Sequence, residues 1–221
     1  MASRMIHYTI AKLVADKIEL KSRNHFLVGS LAPDMISVEI DRTAKRKAHF
    51  REEVEKLGLK GYNWLTFYNK YLKENIDDEF ALGYFIHLIC DNIWLTDIQT
   101  KYIYSLDKET EKENVIKGYE DMRKCNYHIA KNFRIYYDIK PLDKFTIDEA
   151  DISYQVSLLD YLKQDFLPYG DNFNLEVHNW SEIMDYIGKC TEICLKEVNL
   201  VMNGLEPDSP MPYFIPITQN S

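Results

Sequence analysis

Residues 80–95 read FALGYFIHLICDNIWL, and this stretch limits the chain more than any other. A helix with that sequence is apolar almost all the way round, so it belongs inside a fold and not on its surface. It carries two ionisable side chains, His87 and Asp91. They are four residues apart and project from one face, one turn above the other. Burying an imidazole and a carboxylate costs on the order of several kcal/mol unless something compensates them. The rest of the chain has to build a helical interior and supply that compensation.

The remaining sequence suits that task. Only 8 of 221 residues are glycine, and 46% are apolar, which favours a helical core over a β-sandwich. Periodicity predicts a first helix over 5–21. A short apolar helix in NHFLVGSLAPDM is stopped by Pro33. Residues 51–57 read as a helix ended by Gly58, and 62–74 as an aromatic-rich one. Asp77, Asp78 and Glu79 open the central helix, about 78–104, at the positive end of its dipole. Further helices are predicted over 108–137 and 147–166, and a last one from Ser181 as N-cap to Gly204. Residues 1–205 thus read as a single all-α domain, a helical bundle around a buried central helix. Residues 206–221 hold Pro207, Pro210, Pro212 and Pro216 and read as a tail, either a surface strap or disordered.

Charge and composition exclude several classes. Lys plus Arg number 27 against 35 Asp plus Glu, a net −8, which argues against a general nucleic-acid or anionic-membrane binder. No segment has ~18 uncharged apolar residues, so no membrane span is expected. Residues 1–20 carry charges throughout and lack a secretory h-region. The cysteines, Cys90, Cys125, Cys190 and Cys194, form no C-x-x-C pair. They read as reduced core residues of a cytoplasmic protein.

Three other residues share the predicament of His87 and Asp91. His7 lies on the buried stripe of the first helix with Ala11, Val14 and Ile18. Asp34 stands just past the break at Pro33. His49 precedes Phe50 at a helix start. Singly, each is more often a satisfied core residue or a cap than a ligand. Together they are three imidazoles and two carboxylates, a ligand set for zinc, with manganese or iron suited to the same atoms. One zinc takes about four ligands. Five candidates therefore call for a second ion or for one residue standing behind the ligands. With two ions, a carboxylate such as Asp91 is the natural bridge. The basic run Arg42, Lys45, Arg46, Lys47 precedes His49. It reads first as a solvated helix face, with Arg42 and Arg46 as candidates to meet a substrate phosphate. His25, beside the A-P-D segment, reads equally as facing the site or as a surface residue, and His128 reads as exposed.

The ordered set His7, G-S-L-A-P-Asp34, His49-Phe50 and G-Y-F-I-His87-L-I-C-Asp91 resembles the zinc-dependent phospholipase C family. The fungal zinc nucleases that cut single strands are more distant relatives. The resemblance covers about the first 95 residues. It implies an all-α fold and phosphoester hydrolysis at a cluster of up to three zincs. It also implies that Asp34, His49, His87 and Asp91 hold one metal, and that Asp91 bridges to a second shared with His7. Asp34 would act besides as a general base. There are departures. The family's secreted enzymes begin with a tryptophan whose amino terminus binds metal, whereas this chain begins Met1. A family histidine is replaced by Asp97. The third zinc's H-x-x-x-E pair has only His178 and Glu182 to answer it, and these fall late in the chain. A shortened member with one or two ions is expected.

The function these residues predict is a metal-dependent hydrolase of a small-molecule phosphoester, phospholipase C-like, in which a metal-activated water is the nucleophile and Asp34 its base or orienting group. An HD-type phosphohydrolase ranks below it, because the chain has no adjacent His-Asp pair. The alternative from another class is a non-catalytic helical binding protein with a structural or vestigial metal site.

Overall fold

The computed structural model describes residues 2–37, 40–145, 147–170 and 172–217. Its centre is α5 (Glu79–Trp94), which runs on as a wider π-helical stretch through Leu95–Tyr104. Asp78 caps α5 by accepting from Ala81 N–H at 3.0 Å. Nearly every side chain of α5 is buried, polar ones included.

Four helices wrap it. These are α1 (Arg4–Ala15), α2 (Arg23–Gly29), α4 (Trp64–Phe67, continued by a π turn to Leu72) and α8 (Trp180–Met202). The closest approach is between α2 and α5, where two glycines make room. A Cβ on Gly29 would lie 2.0 Å from the Phe80 carbonyl oxygen, and one on Gly83 2.0 Å from that of Phe26. The backbones can touch only because both side chains are missing. Helices α6 (Lys108–Asn132) and α7 (Gln155–Asp165) close the bundle against α1. The chain is mostly α with one main core, as its periodicity and low glycine content predict. Among the described residues, no helix is long and apolar enough to cross a membrane.

The exception to the all-α expectation is a small sheet. Helix α3 (Arg42–Ala48) ends at His49, and Phe50 takes a left-handed backbone, φ 47°. Residues 51–57 are not a helix. Arg51–Val54 form β1, which pairs antiparallel with β2 (Leu59–Tyr62) in the register Arg51 to Tyr62 and Val54 to Leu59. Gly58 has φ 62° and turns the hairpin. A glycine in that conformation ends a helix equally well, so the sequence signal was ambiguous. The left-handed cost at Phe50 is held by its ring, which packs edge-on against Phe67, Tyr71 and Tyr84.

Other boundaries move as well. Helix α1 stops at Ala15, α6 at Asn132, and α7 starts only at Gln155. The cap of α8 is Asn179, not Ser181, accepting from Ser181 N–H at 2.9 Å. The proline-rich tail is tied down through residue 217. Trp64 Nε1–H donates to the Asp208 carbonyl at 2.8 Å, Phe214 and Ile215 are buried, and β3 (Ile215–Pro216) pairs with β2. Residues 218–221 lie outside the described set.

Candidate metal centre

The five side chains singled out in the sequence come together beside the second half of α5. His87 and Asp91 project from one face of α5, as their spacing requires. His7 stands on the buried face of α1, whose start Ser3 caps by accepting from Ile6 N–H at 3.3 Å. Asp34 closes a 3₁₀ turn, Ala32–Asp34, with Pro33 in its first positions. His49 is the C-cap residue of α3, aimed inward by the reversal at Phe50.

The geometry is tight. His49 Nε2 is 3.4 Å from Asp34 Oδ1 and 3.3 Å from Asp91 Oδ2. His87 Nε2 is 3.6 Å from Asp91 Oδ2 and 3.3 Å from His49 Nε2. His7 Nε2 is 3.4 Å from the other oxygen, Asp91 Oδ1, and the His7 ring stacks on that of His87 with centroids 3.7 Å apart. Asp91 therefore stands between two groups, His7 on one oxygen and His49 with His87 on the other. Asp91 Oδ1 also accepts the backbone N–H of Ala2 at 3.1 Å. All of these side chains are fully buried except Asp34, whose side chain is 10% exposed.

Hydrogen bonds behind the rings fix their tautomers. His87 Nδ1 meets the Ser30 carbonyl at 2.8 Å, and His49 Nδ1 meets the Lys45 carbonyl at 2.9 Å. A carbonyl only accepts, so Nδ1 carries the proton in each ring and the neutral ring leaves a lone pair on Nε2. Those two lone pairs face each other. A proton between them would need a buried imidazolium, yet burial, followed by the Lys45 charge, pushes His49 down to about 4. His7 is pushed down by burial and then by His87. Both nitrogens of His7, and Asp91 Oδ2, have no hydrogen-bond partner. Orphaned buried polar atoms of this kind are rare.

The carboxyls behave oppositely. Burial alone would push both up. At Asp34 the Lys45 ammonium outweighs it; at Asp91 the adjoining His7 and His87 rings do so. Both are held well below the usual carboxylate range. Two carboxylates stand against one ammonium, with nitrogen and oxygen lone pairs converging. That is the electrostatic demand of a divalent cation. The atoms fall into two overlapping ligand groups, Asp34 with His49 and His87, and His7 with His87 and Asp91.

One residue of the basic run reaches this cluster, and it is Lys45. Its ammonium is buried against Asp34 Oδ1 and lies 3.4 Å from the Pro33 carbonyl. Arg46 instead pairs with Glu53 at 2.9 Å on the surface, and Arg42 is exposed. The available signal was the spacing, since Lys45 is four residues before His49 and shares its helix face. The positions that answer to a third metal are engaged elsewhere. Asp97 pairs with Lys189 at 2.6 Å, Glu182 bonds Lys101 and the Tyr102 hydroxyl, and His178 is wedged against Trp94 and Tyr102. A surface cleft of about 700 Å³, lined by Ile36, Ala44, Lys47, Phe145 and Glu149 among others, contains none of the five.

Neither a curated protein nor a solved structure matches the chain. A family model described as zinc dependent phospholipase C matches residues 6–169. That span begins just before His7 and takes in Asp34, His49, His87 and Asp91. With about three quarters of its length inside that match, the chain belongs to the zinc-dependent phospholipase C family.

Proposed function

We propose that the chain is a metal-dependent phosphoester hydrolase. Asp34, His49, His87 and Asp91 would hold one zinc-type ion, and His7 with the second oxygen of Asp91 another. The observation that carries this reading is the pair of Nε2 lone pairs on His49 and His87, facing each other across 3.3 Å in the buried core. When bound, the metal supplies a polarised phosphoryl oxygen and a water whose pKa is lowered to about 7.

The protein's own groups do the rest. The Ser30 and Lys45 carbonyls keep the His87 and His49 rings in the ligating tautomer and fix their azimuth. Asp91 stays ionised, so each of its two oxygens is available as a ligand atom. Asp34 is the member that reaches solvent, so the nucleophilic water is oriented there. Its carboxyl is held so low that it serves better to accept a hydrogen bond from that water than to keep its proton. Lys45, buried against Asp34, provides positive charge for the phosphoryl oxygens as the leaving group departs, where the sequence singled out Arg42 and Arg46 from the run 42–47 as substrate contacts.

The test is turnover of bis-p-nitrophenyl phosphate by protein loaded with zinc or manganese. The reading requires metal-dependent turnover that His87→Ala abolishes. Full, chelator-resistant turnover in His87→Ala would sink it. One observation favours a second reading, a binding protein with a structural metal: four of the five side chains are sealed from solvent. Stoichiometric zinc without turnover of any phosphodiester would establish that reading.

A further inference from the structure

Helix α5 has a second chemical face. Cys90 points towards α8, where Cys190 and Cys194 stand on consecutive turns. Cys190 Sγ is 3.3 Å from Cys90 Sγ, and Cys194 Sγ is 3.8 Å from it. All three sulfurs lie within 4.8 Å of one another and are fully buried. None is in a disulfide. The chain's fourth cysteine, Cys125, is on α6 and stays apart from them.

Core cysteines usually serve as small apolar residues and have no reason to meet sulfur to sulfur. Here residues a hundred positions apart do so, and the spacing carries chemical information. Three sulfurs around an ion at about 2.3 Å lie roughly 4 Å from one another, so the 3.3 and 3.8 Å separations need to open by about 0.7 and 0.2 Å. The ligand atoms at the cluster are all sulfur. The oxygens beside them are already in use: Ile86 O lies 3.8 Å from Cys194 Sγ within a helical turn, and the Tyr186 hydroxyl, which also lies against Cys190, donates to Cys90 O at 2.7 Å. Zinc would lack its fourth ligand, whereas a soft monovalent cation is content with two or three thiolates. Thiol hydrogen bonds are weak, so little is lost when they are replaced.

We propose that Cys90, Cys190 and Cys194 form a three-sulfur site for a soft monovalent cation of the copper(I) type, separate from the His/Asp centre. Each thiol that becomes a ligand releases its proton to solvent, and the oxidation state of the ion is unchanged. Helix α5 thus sorts metals by softness, nitrogen and oxygen towards α1 and α3, sulfur towards α8.

The experiment titrates the reduced, zinc-loaded protein anaerobically with copper(I) against a chromophoric copper(I) chelator. It reads thiolate-to-copper absorption in the near ultraviolet and the ligand shell by X-ray absorption. One equivalent should bind with a sulfur-only shell, and His87→Ala should keep it. Cys190→Ser should weaken binding by at least about 100-fold with zinc content and circular dichroism unchanged, and Cys194→Ala is a second variant should the first fail to fold. No copper(I) retained against the chelator, a shell of nitrogen and oxygen, or zinc filling the sulfur site to the exclusion of copper would each overturn the assignment. The shell in the wild-type protein decides the matter even if both variants misfold.

Discussion

Lys45 sets its ammonium against Asp34, the one side chain of the centre that reaches solvent, and so fixes a positive charge where a substrate phosphate would arrive. Neighbouring Arg46 spends its charge on Glu53 at the surface. The two substitutions should part company. Lys45→Met should lower kcat on a phosphodiester by about 100-fold with metal content retained. Arg46→Ala removes a surface ion pair worth about 0–1 kcal/mol and should leave kcat unchanged. Equal effects from the two variants would refute the assignment to Lys45.

The facing lone pairs of His49 and His87 make metal removal costly to the fold. At a free metal concentration of about 1,000 times Kd, binding stabilises by ~4 kcal/mol, which for a chain of this size raises Tm by roughly 10 °C. A chelator should reverse that shift in the wild type and do nothing to His87→Ala. Calorimetry with and without chelator reads both.

His178 offers a pH test away from the metal. Burial pushes its imidazole down to about 4 from an ordinary 6.5, and its Nδ1 has no partner. The folded protein thus holds it neutral while the unfolded chain protonates it. Its contribution to stability is complete above pH 6.5 and is lost as pH falls towards 4, an effect of about 3 kcal/mol in full. His178→Leu should lack this component. Urea unfolding of both proteins at pH 7 and 4.5 should show the wild type losing more stability than the variant; parallel losses would disprove it.

Gly83 connects packing to the centre. A methyl group there would meet Phe26 O at 2.0 Å and Ser30 N at 2.9 Å, and the Ser30 carbonyl is what steers His87. Gly83→Ala should destabilise the protein by about 3 kcal/mol and weaken metal binding roughly 10- to 100-fold. Gly188→Ala, with open space around the added carbon, should raise stability by up to about 1 kcal/mol. Urea melts and zinc competition titrations separate the two.

These features were not equally legible in the sequence. His87 and Asp91 stand out because two polar residues interrupt an apolar run, and helix spacing then gives their common face. Asp34 and His49 were legible as candidates because each sits beside apolar sequence at a helix boundary. Local patterns do not say which way a basic residue points within a run, so Lys45 hid among Arg42, Arg46 and Lys47 until α3 fixed its face. The β1–β2 hairpin was hidden by Gly58, whose left-handed backbone reads alike in two contexts, and by Phe50, whose positive φ depends on three aromatic neighbours far along the chain. The sulfur cluster depends on how α8 docks on α5, a relation between residues 90 and 190 that no window of sequence contains.

Asp91 is followed by Asn92, whose amide clasps the backbone of Tyr62 at both ends, accepting from its N–H at 3.1 Å and donating to its carbonyl at 3.2 Å. A strand neighbour would make the same two bonds. Helix α5 is thereby keyed to the hairpin like a shaft to its wheel: it cannot roll about its axis without tearing that clasp, and the carboxylate one residue earlier is indexed by it. Asn92→Leu, which removes no ligand, should therefore leave the carboxylate free to turn and lower zinc affinity about tenfold, measurable by chelator competition.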